Sequence, residues 1–146
     1  MMKRLEADGL VTSGSGIQLT PKGRRLAERV VRRHRLAERF LTDILQLSWA
    51  AAHHAAGNWE HILSESVEEA LSKVLGDPTT CPHGHPIPGS DYQEPDAGPL
   101  AEIPVGGPFT VRRITEELEV TPGLLDFLEE SEIQPGRTGE VTASSP

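Results

Sequence analysis

The run opened by Thr20-Pro21 constrains the fold most, because it is the longest helical stretch in the chain and the other elements must pack around it. Threonine is a good N-cap and proline is preset for the first helical position. At roughly 100° per residue, Leu26, Val30, Ala37, Leu41 and Ile44 form one apolar stripe. Arg25, Arg29, Arg32, Arg35 and Arg39 fall on the other side. His34 and Glu38, one turn apart, sit at the edge of the stripe and face whatever packs there.

Ser48 caps a second helix to about Leu63, and Ser64 a third to about Leu75, with Gly76 after it. On the second helix Trp49, His53, Gly57, Glu60 and His61 share one face, while Ala52, Ala55, Trp59, Ile62 and Leu63 cover much of the other. An apolar back with a His/Glu front is unusual for plain packing. Imidazole and carboxylate together suit a borderline divalent cation. His34, Glu38, His53, Glu60 and His61 are therefore the candidate metal-binding residues. Cys81, His83 and His85 have C-x-H-x-H spacing, but the intervening prolines make a compact three-ligand clamp difficult, so a structural loop is expected there.

The flanks are less regular. Met1 to Asp8 reads as a last helical turn or two stopped by Gly9. Leu10-Val11-Thr12 and Ile17-Gln18-Leu19 form a hairpin across a Ser13-Gly14-Ser15-Gly16 tip, marginal unless it packs on a helix. From Asp77 to about Pro99 the prolines and glycines predict a loop and linker. Beyond it, Phe109 to Ile114 reads as a strand, Thr121-Pro122 caps a short helix, and Gly139 to Thr142 starts another strand. That is a piece of a small β-barrel, too short to close.

At 146 residues and 36% hydrophobic content, the chain can hold one ordinary domain or two small ones. Its net charge of −8 conceals an asymmetry, +5 over residues 1–47 against −13 over residues 48–146. A basic front fits polyanion contact at that end, and a solvated basic helix gives the same charge. Few aromatics argue against stacking of single-stranded bases. The lone cysteine excludes an internal disulfide framework, the start lacks the apolar stretch of a secretory signal, and no apolar run approaches bilayer length. A cytoplasmic location is expected.

Four segments carry a resemblance: Gly16-Ile17-Gln18-Leu19-Thr20-Pro21-Lys22-Gly23, His34-Arg35-Leu36-Ala37-Glu38-Arg39-Phe40-Leu41, Trp59-Glu60-His61-Ile62-Leu63-Ser64, and Cys81-Pro82-His83-Gly84-His85-Pro86-Ile87-Pro88-Gly89. Together they resemble the diphtheria-toxin-repressor-like (DtxR/MntR) family of metal-dependent transcriptional repressors. The resemblance implies a mainly α chain with a small β part. Residues 1–20 are expected to be the end of a winged helix-turn-helix, 21–76 a helical metal-binding and dimerisation domain, 77–99 loop and linker, and 100–146 a partial SH3-like barrel.

It also implies that His34, Glu38 and His53 form one metal site and that Glu60 and His61 belong to a second. The expected ion is Fe²⁺ or Mn²⁺, with Zn²⁺, Co²⁺ or Ni²⁺ possible in vitro. The chain departs from the family pattern. Most of the winged helix, its DNA-reading helix and an N-terminal metal ligand would precede Met1. Gly57 stands where the family usually has Cys or Glu, and Thr121 and Leu124 stand where some members supply oxygen ligands. A side chain restored at Gly57 (Cys or Glu) is expected to tighten the second site.

The function expected is a homodimeric, metal-dependent repressor, with Trp59, Leu63, Leu71 and Val74 at the dimer face. Lys3, Arg4, Lys22, Arg24 and Arg25 are placed to touch DNA phosphates, which position a protein without reading sequence. DNA binding by this chain alone is then weak or non-specific. The alternative is a regulatory fragment that dimerises with a full-length relative. A metallohydrolase is disfavoured, since H-E-x-x-H is absent and no carboxylate is evidently free as a base. Neither a membrane nor a small-molecule substrate is expected as a partner.

Overall fold

The computed structural model describes residues 1–14 and 16–144; Ser15 at the hairpin tip, and Ser145 and Pro146 at the end of the last expected domain, lie outside them. The spine is the long helix, α2 (Pro21–Asp43), preceded by α1 (Met2–Ala7), β1 (Val11–Ser13) and β2 (Ile17–Leu19). The hydroxyl of Thr20 accepts the Gly23 N–H at 3.0 Å and donates to the Gly9 carbonyl at 2.7 Å, so one side chain caps α2 and ties it to the front. The Thr20 N–H donates to the Leu10 carbonyl at 3.0 Å. Gly23 lets this crossing happen: a Cβ there would lie 1.9 Å from the Leu10 carbonyl oxygen. The antiparallel hairpin, with Val11 opposite Leu19, is thus packed on a helix.

Only the second half of α2 is covered, by α3 (Trp49–Trp59) and α4 (Glu65–Val74). Leu36, Ala37, Glu38 and Leu41 are buried, whereas Leu26 and Ile44, the two ends of the expected stripe, are exposed because α2 outruns its partners. Ala37 and Leu41 meet Ala52 and Ala56 of α3, with Leu47, Ala55, Trp59 and Leu63 around them. Ser48 and Ser64 cap α3 and α4, each accepting from the N–H three residues on at 3.3 Å. α3 stops at Trp59, short of Leu63, where the Ile62 N–H turns back three residues to the Trp59 carbonyl at 3.0 Å.

The stretch after Asp77 is irregular, yet its first half is built in. Cys81 N–H donates to the His85 carbonyl at 2.9 Å and Ile87 N–H to the Thr79 carbonyl at 2.8 Å, closing a loop that buries Cys81, His83 and Ile87. Arg32 and Arg35 of α2 donate to the carbonyls of Pro88 and Pro86.

The C-terminal part holds β3 (Pro108–Thr110) antiparallel to β4 (Thr138–Glu140), then α5 (Glu116–Glu119) and α6 (Leu124–Glu130) between them in sequence. The strand expected to Ile114 ends at Thr110, since the chain leaves the sheet and the Ile114 N–H donates to the His83 carbonyl at 2.9 Å. α5 is an element that the sequence pattern did not announce. α6 begins after Gly123, at φ +76°, and not at Thr121, whose hydroxyl donates to the Glu117 carbonyl at 2.8 Å. Trp49, Ile114, Leu125 and Leu128 form a second core that joins α3 to this part. No described helix is long and apolar enough to cross a membrane.

Gly84 fixes how the loop meets the C-terminal part. Its φ is +90° and a Cβ would lie 2.3 Å from the Arg112 carbonyl oxygen. Gly84→Ala is expected to destabilise the chain by about 1–3 kcal/mol through backbone strain, read by urea unfolding. A variant as stable as wild type would show that this close approach is not held.

Candidate metal centre

Four donors from four segments converge: Glu38 of α2, His53 of α3, His83 of the loop and Glu119 of α5, each offering one ligand atom with all atoms within 4.8 Å of one another. α2 delivers Glu38 one turn after His34. α3 delivers His53 one turn after Trp49, whose ring meets the His83 ring edge-on at 4.6 Å. α5 is anchored to α2 by Arg35, whose guanidinium lies 2.8 Å from Glu116, and so carries Glu119 inward.

One oxygen is the hub. Glu38 Oε1 lies 2.7 Å from His53 Nδ1, 3.1 Å from His34 Nε2 and 3.7 Å from His83 Nδ1. Glu119 Oε1 lies 3.4 Å from His83 Nδ1 and 2.9 Å from His85 Nε2, and its Oε2 is 3.9 Å from His53 Nδ1. The Glu38 and His83 side chains are only 2% and 1% exposed.

Burial drives the Glu38 carboxyl up, but hydrogen bonds from His34 and His53 and the fields of His83 and His34 overcome it and hold the group down at about 2. His34 is raised: burial works against its charge, and Glu38 and Glu60 outweigh it. His53 is raised, chiefly by its bond to Glu38. His83 is lowered, because burial outweighs the attraction of Glu38 and Glu119. Burial, reinforced by Glu38, pushes the Cys81 thiol up to about 12, so it stays protonated at neutral pH.

Both ring nitrogens of His83, His85 Nε2 and Glu119 Oε1 are buried without an aligned hydrogen-bond partner among the described residues. The 2.9 Å contact of His85 with Glu119 is close but lacks that alignment. Buried polar atoms left so are costly, and a cation among them satisfies lone pairs that no donor reaches. Two carboxylates and two imidazoles fit an ion of the manganese, iron or zinc kind.

Of the residues expected from sequence, His34, Glu38, His53 and Glu60 lie together, Glu60 reaching the group through a 2.7 Å contact with His34 Nδ1. His61 faces outward, 69% exposed, with Nε2 3.4 Å from Glu60 Oε1. Gly57 opens to free space. His83, expected only as part of a structural loop, points into the cluster. Glu119, which carries no metal-type spacing in the sequence, takes the inward place that the resemblance assigns to Thr121 and Leu124, both farther along the chain. The phosphate-contact candidates Lys3, Arg4, Lys22, Arg24 and Arg25 are all exposed, with Arg4 within 3.9 Å of Asp8 and Lys22 donating to the Asp8 carbonyl. Of the expected dimer-face residues, Leu71 is buried within the chain and Trp59 and Leu63 pack on its core, so the exposed apolar side chains there are Ile62, Val67 and Val74.

The profile of the family described as iron dependent repressor, metal binding and dimerisation domain, matches residues 20–89. The iron-dependent repressor IdeR of Mycobacterium tuberculosis is 42% identical over 149 residues, covering 92% of this chain and 64% of that protein. IdeR of Mycobacterium leprae is 40% identical over 158 residues, covering 98% of this chain and 68% of that protein. The chain thus spans roughly two-thirds of the length of these relatives. A solved manganese-dependent transcriptional repressor in complex with manganese superposes with a TM-score of 0.81 at 35% identity, over 97% of this chain and 65% of that one. Fold, sequence and profile agree, and the chain belongs to the iron-dependent repressor family, that of the diphtheria toxin repressor and IdeR.

Proposed function

We propose that this chain is the metal-sensing part of a transcriptional repressor that responds to iron or manganese. The observation that carries the reading is the convergence of Glu38, His53, His83 and Glu119 from four separate segments. Glu38, His53, His83 and Glu119 would hold a divalent ion there, and its positive charge would favour the arrangement of α2, α3, the 81–85 loop and α5 in which these four donors converge. The signal would be the difference in affinity between that arrangement and any other.

Several features support the rest of the reading. α1 and the β1–β2 hairpin fit the end of a winged unit, and β3, α5, α6 and β4 fit part of an SH3-like barrel. The exposed cations Lys3, Arg4, Lys22, Arg24 and Arg25 fit contact with DNA phosphates, and Ile62, Val67 and Val74 fit a homodimer face. Relatives named as iron- and manganese-dependent repressors fit both ions.

The test is a calorimetric titration of the ion-free chain with Mn²⁺, and with Fe²⁺ under anaerobic conditions. Binding is expected, and His83→Ala and Glu119→Ala are each expected to weaken it at least tenfold, a loss of about 1.4 kcal/mol or more. Unchanged affinity in both variants would sink the centre.

A further inference from the structure

The cluster leaves Glu60 and His61 unexplained. We propose that Glu60 is a positioning residue for the ion centre, acting through His34, and is not a ligand of a second ion. This rests on the reading of the Glu38 cluster as a metal centre.

The imidazole of His34 is strung between two carboxylates. Its Nδ1 lies 2.7 Å from Glu60 Oε2 and its Nε2 lies 3.1 Å from Glu38 Oε1. A neutral imidazole carries one proton, and the acceptor at one nitrogen decides what the other presents. With an ion at Glu38 the ring would be neutral, and Glu60 would hold its one proton on Nδ1, so that Nε2 presents a lone pair to that ion. Outer carboxylates of this kind fix ring orientation and tautomer.

The surroundings of Glu60 commit it to this contact. It is the C-cap of α3, with its N–H on the Ala56 carbonyl, so its backbone is held. Its side chain is only 17% exposed, while that of neighbouring His61 is 69% exposed. At this end of α3 Gly57 supplies no donor side chain, and a Cβ there meets nothing within 4 Å. Among the described residues, the Glu38 cluster is the one gathering of three or more metal-type donors.

The experiment counts ions and measures affinity in the whole chain, by Mn²⁺ calorimetry and by the visible absorption of bound Co²⁺. Wild type is expected to bind one ion. Glu60→Ala is expected to bind one ion with about 10–100-fold lower affinity and to keep the Co²⁺ band positions. Glu60→Gln, whose amide oxygen still accepts from His34 Nδ1, is expected to recover most of that loss. His61→Ala is expected to change neither count nor affinity, and with the wild-type count it keeps the test decisive if Glu60→Ala fails to fold. Two ions per wild-type chain, with Glu60→Ala and His61→Ala each removing one, overturn this inference and leave the centre standing. An unchanged affinity in Glu60→Ala also overturns it alone. A wild-type chain that binds neither Mn²⁺ nor Co²⁺ overturns the centre and the inference together.

Discussion

Glu38→Ala is expected to abolish ion binding and to destabilise the ion-free chain by about 3–5 kcal/mol, the range for removing one partner of a buried charged pair. Glu38 sits within the core face of α2, between Ala37 and the next inward turn at Leu41. Its Oε1 is the single atom that His34, His53 and His83 all approach. Truncation strips the hydrogen-bond acceptor from His34 and His53 at once and opens a void among Ala37, Leu41 and the rings. Glu38→Gln separates the two losses. The amide keeps the volume and one acceptor oxygen but not the charge, so the variant is expected to be more stable than Glu38→Ala and still to bind the ion poorly. Urea unfolding without metal, beside an Mn²⁺ titration, measures both. If Glu38→Ala unfolds within 1 kcal/mol of wild type, a threshold near the scatter of ordinary surface changes, Glu38 does not organise the cluster.

How far the sequence carried differs by element. The three central helices were readable because their signals are local: Thr20, Ser48 and Ser64 each sit one residue before the helix that they cap. Helical spacing puts His34 and Glu38 at one edge of α2 and His53 on the polar face of α3, and it is the family resemblance that implies one site for all three. His83 was harder. The prolines around it argue against a tight clamp of consecutive ligands, and that argument is sound, but it does not bear on a loop that contributes one imidazole to donors from other segments. What seats His83 is non-local, the Ile114 N–H on its carbonyl and the Trp49 ring against its own. Glu119 was harder still. It lies in an acidic run, Glu116-Glu117-Leu118-Glu119, where charge reads as a solvated face, and only the Arg35–Glu116 pair and the second core turn one of these carboxylates inward. The shortened C-terminal strand has the same origin, because a backbone bond to a distant loop outcompeted extension of the sheet.

The acid limb of stability is expected to be set by Glu38. Its carboxyl is held at about 2 in the folded chain against 4.5 when free of the fold. A depressed folded value means that the contribution is fully present above pH 4.5 and is lost as pH falls towards 2; its size is about 3 kcal/mol. The imidazoles act in other windows. His34 and His53, raised above 6.5, contribute stability that is complete below that pH and is lost as pH rises through their folded values. His83, lowered by burial, opposes them, since folding holds it neutral and stability falls as pH drops below 6.5. A comparison of wild type with Glu38→Gln isolates the carboxylate. The two unfolding free energies, measured in urea on ion-free protein, are expected to differ by about 3 kcal/mol at pH 6. The gap should close as pH approaches 2, where protonated Glu38 and Gln present the same uncharged group to the same three rings. A gap that stays constant from neutral to acid pH would mean that Glu38 acts through its shape, and the electrostatic account of this cluster would fail.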